Sequence, residues 1–521
     1  MHNSLNSLFM EPTTEHEIKT QILNLKNASA CGQDEIKAEP IKAVVNSISN
    51  PLSHICNLIL ATGVFPDKLK IARVTVIFKG GDRNDMNNYR PISVLPLFSK
   101  VFEQMINVRI MNFCTKNDVL TGNQYGFQKK KSSEMALLSI KEKIIQNFED
   151  KKYTLGIFLD FKKAFDSIKH DILLKKLSEY GVRGLALDLI RSYLTNRYQY
   201  TDTNHSKSVL GEIKYGVPQG SILGPLLFLL YINDIGNIPF TPDIILYADD
   251  TNVFFSGENL HILQLQASKW LNNLSEWLIV NKLELNTKKT KYIIFRCRNK
   301  SIRNDVHLKF RGEIIERVRI HKFLGVLFEE NLSWSPHVDN LTRRISRSIG
   351  IISRAKQLLP RWLKLQLYYA LIHSHLQYCL LVWGTTTKTN LKKLYILQKR
   401  IVRVIENVPY ITHSAPLFKA NTILTMQHIL KKKLGITIFQ KIKLCHDSFF
   451  RQFLGKGHAY ETRKTRYVKG FTRTNYGMQK QSYVIADFLN HHPTVINLVQ
   501  ETMHMKCFKR KLTAYLLSIQ E

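Results

Sequence analysis

The chain has 521 residues, with 75 Lys and Arg against 41 Asp and Glu, and a formal net charge of +34. That length exceeds one compact core and predicts two or three domains, and a hydrophobic content of 44% supplies those cores and excludes general disorder. No uncharged apolar run of about 18 residues occurs, and residues 1–10 lack the basic-then-apolar layout of a secretory signal.

Neither a membrane span nor secretion is therefore expected, which leaves the nucleus or cytoplasm. Seven scattered cysteines without a Cys-x-x-Cys pair fit reduced thiols there and argue against a zinc knuckle.

Residues 1–60 read as helices. Thr13 and Thr14 are N-cap candidates ahead of Ile18, Ile22, Leu23 and Leu25 at helical spacing. Residues 28–32 read as a loop. A further helix is predicted over 51–61, stopped by Gly63, with Leu52, Ile55, Leu58 and Ile59 assigned to the core. An apolar strand over 71–79 ends in Lys79-Gly80-Gly81. Helices are predicted over 98–113 and 134–148. Between them lie Gly122-Asn123-Gln124-Tyr125-Gly126-Phe127 and the run Lys129-Lys130-Lys131, which is either wet surface or a template contact.

Residues 153–160 form an apolar strand ending in Asp160, followed by a predicted helix over 171–180. Gly216-Val217-Pro218-Gln219-Gly220 and the residues up to Pro225 make a Gly/Pro loop that opens an apolar helix over 221–233. Its glycines permit close backbone approach to a ligand, and its helix start favours phosphate. Residues 244–255 read as a β-hairpin with Asp249 and Asp250 at its tip, where a turn ordinarily recruits Gly, Asn or Pro. Two adjacent negative charges raise one pKa unless a cation joins them. Hard oxygen ligands suit Mg²⁺, or Mn²⁺. With Asp160 on a neighbouring strand, such ions would activate a 3′-hydroxyl and stabilise leaving pyrophosphate, the two-metal scheme for nucleotidyl transfer.

An amphipathic helix is predicted over 261–280, and a strand over 292–295. Beyond residue 330 the balance shifts to 31 Lys and Arg against 7 Asp and Glu. Leu341, Ile345, Ile349, Ile352 and Ala355 make a helical stripe flanked by Arg343, Arg344, Arg347 and Arg354, and helices over 361–382 and 390–405 follow. Trp362, Tyr368, Tyr369, Tyr378, Trp383, Tyr395 and Tyr410 offer bases something to stack on, so phosphate-backbone binding is expected here. His373, His375 and Cys379 approach ligand spacing but read as packing residues. The stretch 460–476 is basic, aromatic and poorly periodic.

The segments at 158–166, 216–225 and 247–250 resemble, in order and spacing, the core motifs of reverse transcriptases, the last being the Tyr-Ala-Asp-Asp box. The similarity is greatest to non-LTR (LINE-like, jockey-type) retrotransposons. Flanking pieces agree: Phe65-Pro66, Val76 to Gly81, Asn88-Tyr89-Arg90-Pro91-Ile92-Ser93, Leu285 to Thr290 and Phe323-Leu324-Gly325-Val326.

The resemblance implies an α+β, right-hand polymerase. Its parts would be an N-terminal helical segment (1–59), a reverse transcriptase domain of fingers and palm (60–329), and a basic, mostly helical thumb and C-terminal extension (330–521). The implied activity is RNA-directed DNA synthesis from dNTPs on an RNA template, with a DNA primer or target. Asp160, Asp249 and Asp250 would be the metal-binding catalytic acids. Lys289 would be the general acid to pyrophosphate, with Lys288 and Lys291 competing. Phe165 would exclude a ribose 2′-hydroxyl, or else simply close the strand–helix junction, and Asp166 would hold backbone. Gln219 and Gly220 would shape the nucleotide pocket, and Tyr247 would lie against the primer end. Lys79 and Arg90 would contact template or triphosphate, unless merely solvated. Phe323, Leu324 and Gly325 resemble the primer grip. Jockey-type elements carry an endonuclease ahead of the polymerase. No His/Asp/Glu/Asn nuclease array is found in this sequence, so the expectation is a reading frame that starts inside a longer element. Two alternatives stay open: an intron-maturase-like reverse transcriptase, and a catalytically idle nucleic-acid-binding remnant, against which the intact acids argue.

Overall fold

Local chemistry starts and stops the first helices. Thr14 accepts a hydrogen bond from the Glu17 amide and caps Glu15–Asn24. Gly63, at φ +68, ends Val45–Thr62 in the left-handed conformation that glycine adopts without strain. The computed structural model describes residues 5–203, 206–302, 306–444 and 467–520. Part of the stretch 460–476, and Asp447 and Glu461 among the seven acids beyond residue 330, lie outside the described residues.

The helix predicted over 51–61 begins earlier, at Val45, and carries Pro51 inside it. Of its expected core stripe, Leu52 and Ile59 are buried, whereas Ile55 and Leu58 stay 42% and 49% exposed. A stripe one residue too wide for the available neighbours leaves its edge in water.

The strands are β1 (Ile71–Phe78), β2 (Tyr89–Val94), β3 (Tyr153–Leu159), β4 (Arg197–Thr203), β5 (Ser206–Lys207), β6 (Gly211–Ile213), β7 (Asp243–Tyr247), β8 (Asp250–Gly257), β9 (Lys291–Phe295), β10 (Leu308–Phe310), β11 (Glu313–Arg317), β12 (Ile320–Phe323) and β13 (Val326–Glu329). Among the described residues they form three sheets. The first has the order β2-β1-β4-β5, with β6 also on β4; the central sheet runs β10-β11-β9-β3-β8-β7; β12 and β13 make a separate hairpin. Neither β4 to β6 nor the helix Leu185–Leu194 was anticipated: the strands are short and polar and give little alternation to read, whereas the helix does carry a readable stripe, burying Ala186, Leu189, Ile190, Tyr193 and Leu194 at helical spacing.

β3 divides two cores. All seven of its residues are buried, without the alternation of a half-exposed strand. Leu155, Ile157 and Leu159 join the core formed with the helices Leu97–Lys116, His170–Glu179, Leu223–Ile232 and Leu260–Val280. Phe158 belongs to the other core, with Phe254, Phe295 and Phe323. Gly156 is required there, since a Cβ would sit 2.9 Å from the Phe254 ring.

That second core also takes in the helix Ser133–Glu149 and the helices beyond residue 330, through Trp334, Leu341, Ile345 and Trp383. Buried Lys141 donates to the Leu381 carbonyl and Thr385 hydroxyl, and Glu149 accepts from the amides of Arg473 and Thr474. The helix predicted over 361–382 is interrupted: Arg361–Tyr368 passes through a π turn, Tyr369–His373, and Cys379 turns left-handed at φ +47. Tyr368 and Trp383, expected as stacking surfaces, are fully buried, and Trp362, Tyr369, Tyr378 and Tyr410 are the exposed aromatics of that set. No described helix is long and apolar enough to cross a membrane.

Because the apolar core runs across residue 330, a chain ending there should bind a hydrophobic dye and melt markedly lower than the full chain, by roughly 10 °C. Equal melting temperatures in a calorimetric comparison would show that the two parts fold independently.

Candidate active site

β7 and β8 pair antiparallel up to Tyr247 opposite Asp250, so Ala248 and Asp249 form a two-residue turn. Ala248 is left-handed, at φ +56, which costs a residue with a Cβ about 1–2 kcal/mol. β3 lies beside β8 with Leu159 opposite Thr251, and this register carries Asp160 to the same end of the sheet. The stretch after the helix Leu260–Val280 closes on Asp160. Leu285 bridges Phe161, the Asn286 amide donates to the Asp160 carbonyl (2.7 Å), and the Asp160 amide donates to Thr290 Oγ1 (3.3 Å).

Asp160 and Asp249 line one cleft of about 1370 Å³, together with Lys79, Arg90, Phe165, Asp166, Gln219, Gly220 and Lys289. Asp250, Tyr247 and the Phe323-Leu324-Gly325 turn are not among its lining residues. Burial pushes the Asp160 carboxyl above its ordinary value; Lys289 opposes this, Asp249 adds to it, and a hydrogen bond from Asn286 opposes it again. The Asp250 carboxyl, although the residue is exposed, is pushed up to about 6, first by the protein packed around it and then by the charges of Asp249 and Asp160. Among the described residues no group of three or more His, Cys, Asp and Glu is disposed to hold a metal ion. The chemistry of the acids nevertheless fits one. They are hard oxygen donors whose mutual repulsion is only partly offset by nearby lysines, the situation a divalent cation relieves.

The loop before Leu223–Ile232 docks against the Phe165 turn. The amides of Gly216 and Val217 donate to the carbonyls of Ile168 and Phe165, and Gln219 Nε2 donates to Asp166 Oδ1 (2.9 Å). The Asp166 side chain is therefore engaged by Gln219. Gly220 sits at φ +132 with its Cα against the Ser93 carbonyl, so a Cβ there would strike β2. The helix start does not stand open for phosphate. Buried Glu103 accepts from the amides of Ile222 (2.7 Å) and Leu223 (3.1 Å), filling the anion site with the protein's own carboxylate.

Phe165 is half-buried and stacks on Phe228 at 4.5 Å. Of the three candidate lysines, Lys291 is paired with Glu316 (2.5 Å), Lys288 lies outside the cleft, and Lys289 lines it. Lys131 is anchored, donating to the carbonyls of Gly122 and Gln124, whereas Lys129 and Lys130 are exposed. Leu324 and Gly325 form a tight turn, both left-handed, and Tyr378 donates to the Leu324 carbonyl (2.7 Å). Gln124, Glu103 and Asn286 were missed as supports of the site. Asn286 stood within a quoted motif, and Gln124 between two glycines, but neither position announces a distant partner.

Residues 77–328 match the family described as reverse transcriptase (RNA-dependent DNA polymerase). They are a reverse transcriptase domain. This reverse transcriptase domain takes in the cleft, from Lys79 to Lys289, with Asp160 and Asp249 among its lining residues. The chain is also 28% identical to the probable RNA-directed DNA polymerase from transposon BS of Drosophila melanogaster, over 82% of this chain and 48% of that protein. It is 28% identical to the RNA-directed DNA polymerase from mobile element jockey of Drosophila melanogaster, over 78% and 45%. To the probable RNA-directed DNA polymerase from transposon X-element of the same species it is 27% identical, over 77% and 45%. The chain spans about half the length of the curated relatives it matches.

The raised Asp250 has a consequence for the metal-free protein. Its native value of about 6 lies above the ordinary carboxylate value near 4, so the native state takes up this proton first. Stability should therefore rise as pH falls through that window, and Asp250→Asn should abolish the rise. In EDTA the variant should melt above the parent at about pH 8, with the gap closing towards pH 4. A gap that ignores pH would show that folding does not raise this carboxyl above its ordinary value.

Proposed function

We propose that the chain is an RNA-directed DNA polymerase of a non-LTR retrotransposon, adding dNTPs to a primer 3′-hydroxyl on an RNA template. The observation that carries this is the shared cleft: Asp160 and Asp249, from distant stretches, face it with Lys79, Arg90 and Lys289 around them. In a right-hand arrangement, the central sheet is the palm and the β1–β2 side is the fingers. The helix Ser335–Arg354 begins the thumb, with the basic extension after it.

Asp160 and Asp249, backed by Asp250, are the residues to hold Mg²⁺ or Mn²⁺. When bound, such ions lower the pKa of a hydroxyl nucleophile and neutralise charge on leaving pyrophosphate. Lys79 and Arg90 orient the triphosphate as cations lining the cleft. Lys289 holds a proton beside the cleft for the departing pyrophosphate. Gln219, fixed by Asp166, and Gly220 shape the nucleotide pocket, and Phe165 underlies the sugar. Tyr247 and the Phe323-Leu324-Gly325 turn serve the primer end. The C-terminal excess of 31 basic over 7 acidic side chains holds the template–primer backbone, with Trp362, Tyr369 and Tyr410 exposed for stacking.

Asp249→Asn should abolish primer extension on poly(rA)/oligo(dT), a loss of roughly 1000-fold or more, as for an electrostatic group acting on the transition state. Template affinity should survive, because negative charge leaves a phosphate site. Near-normal extension by that variant would exclude the assignment.

Phe165→Val should admit ribonucleotides, lowering dNTP over rNTP discrimination by roughly 10- to 100-fold while deoxynucleotide use persists. Loss of the Phe228 stack should lower the melting temperature as well. A lower melting temperature with unchanged discrimination would make Phe165 a packing residue only.

A further inference from the structure

The turn that carries Asp249 is gripped from outside the central sheet. Residues 122–127 run along the free edge of β7: the Tyr125 amide donates to the Leu246 carbonyl (2.8 Å), and the Leu246 amide donates to the Asn123 carbonyl (3.0 Å). Gln124, between them, is 1% exposed. Its Oε1 accepts from the Gly126 amide (2.8 Å) and from the Ala248 amide (3.1 Å). One side-chain oxygen thus ties the loop to the residue immediately before Asp249. Gly126 permits the approach, since a Cβ at that position would strike the Ala248 nitrogen.

We propose that Gln124 is a positioning residue for Asp249, holding Ala248 in its left-handed conformation so that the next carboxylate stays in the cleft. This rests on the reading of Asp249 as a catalytic acid. The case has three parts. Ala248 is a non-glycine residue at φ +56, a conformation that persists only where neighbours enforce it. The Gln124 oxygen is the side-chain acceptor on its amide. The other end of the same side chain, Nε2, is buried without a hydrogen-bond partner. A buried side chain kept for packing alone would leave no amide group stranded, so the oxygen accounts for the residue's identity. The loop is braced in turn: Lys131 Nζ donates to the Gly122 and Gln124 carbonyls (2.7 Å each) and lies over the Tyr125 ring. The Thr121 amide donates to Asn233 Oδ1 (2.9 Å), just past the helix Leu223–Ile232.

The test compares Gln124→Met, which keeps the length but removes the acceptor, with Gln124→Glu, which keeps an acceptor. In Gln124→Met, amide hydrogen exchange should quicken in the peptide holding Ala248 and Asp249 and remain unchanged in β3 and β9. The primer-extension rate constant should fall roughly 10- to 100-fold, the scale of a misplacement of about 1 Å, with primer–template Kd within about twofold. Gln124→Glu should stay closer to the parent in exchange. Adding Ala248→Gly to Gln124→Met should recover much of the lost rate, because glycine needs no enforcement at that φ; a packing defect at 124 would not be repaired this way. Unchanged exchange at Ala248 in Gln124→Met would overturn the proposal. So would a rate loss that Ala248→Gly fails to relieve. If Gln124→Met does not fold, Lys131→Met, which loosens the same loop, must give the same local exchange or the proposal falls. Altered exchange in a protein whose parent extends no primer would leave the clamp standing and remove the polymerase reading instead.

Discussion

β3 is covered on both faces, with Leu155, Ile157 and Leu159 set among the helices of one core and Phe158 among Phe254, Phe295 and Phe323 of the other. A strand so enclosed has no freedom of register, since a slip of one residue would exchange every side chain between two differently shaped cores. Its end is therefore a fixed point, and Asp160 occupies it. β8 and β9 pair along its two sides, and each delivers something to that end: β8 the Ala248–Asp249 turn, and the chain leading into β9 the Asn286 and Lys289 groups.

What the rigid sheet holds there is unfavourable in itself. Three carboxylates crowd one end, two of them held above their ordinary protonation range, and an alanine sits in a left-handed turn. Neither arrangement stabilises the fold, and both need enforcement by neighbours. The neighbours are specific: Gln124 on the Ala248 amide, and Lys289 and Asn286 on Asp160. Burial of β3 supplies the stability against which this local cost is set.

The C-terminal helices enter the same logic from the other face. Their apolar side, from Trp334 to Leu516, packs with the helix Ser133–Glu149 and the back of the central sheet. Tyr378 reaches the Leu324 carbonyl, so the 320–329 hairpin is held between sheet and helices. On the proposed reading, in which the basic helices hold a duplex near the acids, such a rigid connection locates their charge relative to the cleft, as a flexible tether would not.

Much of this was legible in the chain itself. Apolar runs ended by Asp160 and by Asp249-Asp250 give strands and a hairpin, and Thr14 and Gly63 mark helix ends through their own hydrogen bond and φ. These are properties of a few consecutive residues. Tertiary structure alone decided which long-range partner each polar group meets. Glu103 fills a helix start that by itself would favour phosphate, Gln124 grips a turn over a hundred residues away, and Lys131 turns inward from a run that read equally as wet surface or template contact. It also decided which apolar positions find a neighbour, burying Tyr368 and Trp383 and leaving Ile55 and Leu58 in water. Periodicity tells which side of an element is apolar, whereas burial depends on what the rest of the chain lays against that side, and no local pattern encodes that.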